Sequence, residues 1–171
     1  MTPPLRRPRS EAELRRASDQ FYYDYWMFAK LANGLALGII GDGVLHNAVL
    51  ESFTVHGAAV LGFLYDDRPD PDEPSAIDYV ASAAEWIDAR PKPSLVLQQV
   101  HRDMSHRAAN EIGRVSYQAE DPPERKPWPF MQIAKEVDRA VGALLAVAPE
   151  HYLGPRWQNV KRQREGKAEA S

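Results

Sequence analysis

Apolar residues in the first part of the chain recur at helical spacing. Leu14, Phe21, Phe28 and Leu35 fall every seven residues, with Tyr25 and Ala32 on adjoining positions, and predict a helix over residues 10–37. Its start is marked by Ser10 and Glu13, the S-x-x-E capping box in which hydroxyl and carboxylate each satisfy a free backbone N–H. Gly38, Gly41 and Gly43 then predict a turn. A second helix is expected over 44–65, where Glu51 is the only ionised residue. Leu45, Val49, Phe53, Val60, Phe63 and Leu64 share a broad face, and Leu50 and Leu61 extend it. A helix apolar over most of its circumference belongs in the middle of a bundle. His46, Asn47, Glu51 and His56 argue against a membrane span, because polar groups are costly in hydrocarbon.

Residues 66–74, DDRPDPDEP, combine acids with prolines and predict an exposed loop. A third helix is expected from Ser75, through Ile77, Tyr79, Val80, Ala84 and Trp86, to a stop before Pro91. Ser94 reads as the cap of a fourth, whose inward stripe is Leu97, Val100, Met104, Ala108, Ile112 and Val115. After Pro122 and Pro123, residues 128–147 predict a fifth helix with Phe130, Ile133, Val137, Val141 and Leu144 facing inward. No segment reads as a strand. The expected fold is all-α, an antiparallel bundle of four main helices plus a shorter one over 10–150, with a disordered basic N-terminus at 1–9 and a basic tail at 151–171.

The length of 171 residues suits one domain, and 44% hydrophobic with 26% charged residues is ordinary soluble composition. The absence of cysteine removes disulfides, thiolate zinc sites and thiol nucleophiles, and fits a reducing compartment. Of the net charge of −3, residues 1–20 carry +2 and residues 155–171 carry +3, leaving −8 between them. Basic ends on an acidic body are read as solvated tails. The arginine-rich start leads into charged residues instead of an apolar run, so no secretory signal is expected and the cytoplasm is the expected location, without membrane contact.

The chain has no G-K-[ST] phosphate loop, no H-E-x-x-H or E-x-x-H metal motif and no G-x-S-x-G elbow, so neither a metal nor a cofactor is expected. His101, Arg102, His106 and Arg107 crowd one segment. Arg102 and His106 are weak catalytic candidates, able to bind phosphate and move a proton, but the helical wheel turns both toward solvent. Arg107 and Arg114 lie seven apart at the border of the apolar stripe, where a guanidinium can reach an anion or an acid such as Glu111 or Glu51. Asn47, Glu51 and His56 are expected to form a buried polar network, with Glu51 paired to Arg107 or Arg114, since a lone buried carboxylate costs several kcal/mol.

The stretch HNAVLESFTVHGAAVLGFLY (46–65), AIDYVASAAEW (76–86), HRAANEIGRVSY (106–117) and KPWPFMQIAKEV (126–137) resembles small bacterial helical proteins of the HEPN-like type over residues 20–150. That resemblance implies a helical bundle, a homodimer and, in many members, a metal-independent ribonuclease in which an Arg and a His four to six residues apart meet at the dimer interface. Asn47, Glu51, His56, Arg107 and Asn110 match the pattern, whereas Arg114 stands at the place of the motif histidine and Ala58 at that of an arginine. Arginine stays protonated and cannot serve as a general base, so the nuclease motif is broken. The expected function is therefore noncatalytic binding of RNA, a nucleotide or a protein partner through Arg107, Asn110 and Arg114. The alternatives are a ribonuclease of toxin or defence type using Arg107 with His106 or His101, and an oligomerising bundle without a ligand.

Overall fold

A computed structural model describes residues 7–41, 43–66, 70–110 and 128–169, with side chains except at 106–110 and 167–169. Its helices are α1 (Glu11–Ala36), α2 (Val44–Tyr65), α3 (Ala83–Ala89), α4 (Leu95–Asn110), α5 (Phe130–Val147) and α6 (Pro155–Glu169), with short 3-10 turns at Ala76–Tyr79 and Glu150–Tyr152. The described residues contain no strand. The capping box forms: the Ser10 backbone N–H donates to Glu13 Oε2 at 2.8 Å, and the Glu13 N–H donates to Ser10 Oγ at 3.3 Å. Gly38, Gly41 and Gly43 take φ of 64°, 64° and 94°, so the turn between α1 and α2 uses the left-handed region that side chains disfavour. Ala108 lies in α4, but its side chain, and Ile112 and Val115 altogether, lie outside the described residues.

The single third helix expected from Ser75 is two elements. Asp78 accepts from the Ser75 N–H at 2.9 Å and closes the 3-10 turn, Val80 is extended, and Ser82 starts α3 afresh by accepting from Glu85 N. Two serine caps seven residues apart each begin their own helix.

The chain divides into two compact units. One comprises residues 1–23, 62–91 and 139–171, the other 24–61 and 92–138. In the first, Phe21 stacks on Phe63 at 4.0 Å and on Trp157 at 5.5 Å. The buried Tyr79 donates from its hydroxyl to the Leu14 carbonyl at 2.6 Å, and burial pushes its phenol well above the ordinary tyrosine range. The carbonyls ending α2 are met by Trp86 Nε1, 2.9 Å from Leu64 O, and by Arg90, 3.2 Å from Tyr65 O.

The described residues of both expected tails, 7–9 and 151–169, carry structure in this unit. Arg9 has a 3% exposed side chain that pairs with Asp78 at 3.3 Å and donates to Pro71 O at 2.9 Å. The expected tail at 151–171 contains α6, with Trp157 only 1% exposed. Trp157 Nε1 donates to Ser18 O at 2.8 Å, and the Gly154 N–H donates to Ser18 Oγ at 2.7 Å. Burying one indole with its N–H satisfied offsets the ordering of a short polar helix.

In the second unit Phe28 stacks on Phe53 at 4.9 Å, and Phe130 meets Phe53 edge-on at 5.3 Å. A Cβ added to Gly57 would lie 2.5 Å from Met104 Sδ, so glycine is what lets α2 approach α4 there. The start of α4 is held by Ser94 and by the buried Glu136 of α5, whose carboxylate accepts from Ser94 N at 3.1 Å and Ser94 Oγ at 2.8 Å. Negative charge at a helix N-terminus also meets the positive end of the helix dipole.

The second helix is not enclosed as expected. Phe53, Val60, Leu61 and Leu64 are buried, but Val44 is 87%, Leu45 65% and Val55 49% exposed, and Ala48, Glu51 and Ala59 are exposed too. Among the described residues α2 is the helix long and apolar enough to cross a membrane by length and composition.

Candidate functional site

On α4, Arg102 is exposed as the wheel indicates, and its Nη2 donates to Gln99 Oε1 at 2.6 Å. Gln99 in turn donates to Asp103 Oδ1 at 2.8 Å, so the guanidinium is held on the helix surface by side chains three and four residues apart. His101 is half-buried. The backbones of His106, Arg107 and Asn110 belong to α4, but their side chains lie outside the described residues, as does Arg114 entirely. The expected anion site around Arg107, Asn110 and Arg114 therefore has no described geometry.

The expected buried network of Asn47, Glu51 and His56 is corrected. Glu51 is exposed and Asn47 half-buried, and no hydrogen bond among the described residues joins the three. Residues 44, 48, 51, 55 and 59 form one solvent-facing stripe of α2, so Glu51 is hydrated and needs no buried cation. A hydrated carboxylate there has no need of Arg107 or Arg114 as a partner.

His56 instead reaches α1. Its Nδ1 lies 2.8 Å from Asp24 Oδ1, with the two side chains 14% and 15% exposed. One position along α1, Tyr25 Oη donates to Asp138 Oδ1 of α5 at 2.5 Å. Inside the second unit these two part-buried pairs tie α1 to α2 and α1 to α5. A carboxylate on Nδ1 fixes the orientation of the imidazole, the positioning half of a general acid or base arrangement. Among the described residues no three His, Asp or Glu side chains are arranged to hold a metal ion.

Asp24, Tyr25 and Asp138 were missed in the sequence. Asp24 did leave a signal: it lies three residues after Phe21 and four before Phe28, within the inward stripe of α1, where a carboxylate must find a donor. Asp138 gave none, because it sits beside the stripe of α5 and looks like a solvated flank. Comparison of the chain with protein-family models, with curated proteins and with solved structures finds no match.

Proposed function

We propose that this chain is a noncatalytic, HEPN-like binding protein, an antiparallel bundle of four main helices plus a shorter one, that works in the cytoplasm by docking a protein partner. One observation carries the choice of partner. Among the described residues every exposed large apolar side chain except Tyr23 and Ile87 belongs to the unit formed by 24–61 and 92–138, including Trp26, Leu37, Ile39, Val44, Leu45 and Val55. Exposed apolar surface gathered in one unit is what an interaction surface requires and what a solvated surface avoids. The loss of catalysis is supported by Arg114 at the place of the motif histidine, since a guanidinium cannot take up the proton.

The competing reading, RNA binding or cleavage along α4, is favoured by the exposed, Gln99-held Arg102. Incubation of the purified protein with mixed RNA in chelator separates the two. Under the proposal RNA stays intact, and any binding is weak and without a steep salt dependence. Cleavage that disappears in His106→Ala would replace the proposal with a ribonuclease. Affinity falling steeply with salt would replace the protein partner with RNA.

A further inference from the structure

The protein-docking reading leaves the partner open, and the α1–α2 pair narrows it. Asp24 meets His56 and Phe28 meets Phe53, which sets the two helices antiparallel in a fixed register. Carrying that register toward the turn puts Lys30 level with Glu51, Gly34 with Ala48, and Leu37 with Val44. Met27, Lys30, Gly34 and Leu37 follow 3-4-3 spacing on α1 and its last turn, and Val44, Ala48, Glu51 and Val55 follow 4-3-4 spacing on α2. On each helix this stripe lies opposite the buried one. The pair thus has a second, outward face, and Ile40 folds onto it, its Cδ1 3.1 Å from where a Gly34 Cβ would stand.

That face is apolar but for one cation and one anion. Lys30 and Glu51 are exposed, and neither makes an ion pair among the described residues. We infer that the partner is a second copy of this chain, seated on the outward face of α1 and α2. The inference rests on the binding reading and deepens it. A twofold axis parallel to the helices lays α1 of each copy along α2 of the other while keeping every level. Lys30 of each copy then meets Glu51 of the other, Leu37 meets Val44, Met27 meets Val55, and the small Ala48 faces the Ile40 side chain that covers Gly34. Any other partner would have to supply both charges at this spacing, whereas a second copy supplies them by symmetry. This interface differs from the one the HEPN resemblance implies, which would centre on the Arg and His positions of α4.

A charge exchange between two purified variants tests it by sedimentation or light scattering. The wild type is expected to be a dimer. Lys30→Glu sets two acids against each other across the interface twice, and Glu51→Lys sets two bases, so each variant should associate about tenfold or more weakly. An equimolar mixture of the two should recover wild-type affinity as a heterodimer, because both contacts become opposite in sign, and the double variant Lys30→Glu/Glu51→Lys should recover it alone. Recovery in the mixture excludes a pairing within one chain. Val55→Asp should abolish association while the circular dichroism spectrum stays helical. A monomeric wild type at the highest attainable concentration overturns the inference, and so does a dimer indifferent to the single exchanges or a mixture that fails to recover. Those outcomes leave the RNA measurements untouched, so failure of this interface is distinguishable from failure of the binding reading.

Discussion

Glu13 shows what one side chain does for the start of a helix. Its carboxylate accepts from Arg7 Nη2 at 2.7 Å and from the backbone N–H and hydroxyl of Ser10, each at 2.8 Å. These donors, Arg7 first, hold its pKa at about 2 against an ordinary 4.5. A depressed carboxylate stabilises the fold above its unfolded pKa, and that contribution fades as pH falls from 4.5 toward 2. Glu13→Gln should therefore melt below wild type at pH 6, with the gap closing as the pH approaches 2, as followed by thermal unfolding. A second capping site lies in the other unit, where Ser94 Oγ both donates to Glu136 and accepts from the Leu97 N–H at 3.1 Å. Ser94→Ala leaves the buried Glu136 short of a donor and should cost about 1–3 kcal/mol in denaturant unfolding. Both serines were legible because capping is local chemistry read over four residues. The exposure of Glu51 was not legible: α2 is apolar on both sides, and a helical wheel cannot say which apolar stripe faces the core.

At the scale of elements, hydrophobic spacing located α1, α2, α4 and α5, because each carries a long inward stripe. The 3-10 turn and α3 read as one helix, since Tyr79 and Trp86 both fall inside one apolar stretch and the break between them rests on short polar side chains, Asp78 closing the turn and Ser82 capping α3. The last helix was missed for a different reason. PRWQNVKRQREGKAE is mostly polar and has no repeating apolar stripe, and its place is fixed by Trp157 against Phe21 and Ser18. A helix held by one anchor should depend on it heavily. Trp157→Ala should cost about 3–5 kcal/mol, and Trp157→Phe, which keeps the stacking but loses the bond to Ser18, distinctly less. Denaturant titrations followed by circular dichroism check the order of the two.

For the whole molecule, the helical class was legible from periodicity and from the absence of any alternating segment. Neither the division into two units nor the polar pairs Asp24–His56 and Tyr25–Asp138 were, since both depend on which helices meet, and spacing along one chain does not encode that. The candidate anion site was drawn from α4 because basic residues cluster visibly there, whereas an interaction surface of scattered Leu, Ile and Val resembles a core until burial is known. The distribution of indoles has an optical consequence. Trp86 and Trp157 are each 1% exposed and both belong to the first unit, while Trp26 is 44% exposed and belongs, with the half-buried Trp128, to the second. Iodide should quench Trp26 most and Trp128 less, leaving a blue-shifted residual emission from the two enclosed indoles, which the double variant Trp26→Phe/Trp128→Phe would isolate. The native fluorescence thus reports on the two halves of the chain separately, without a label.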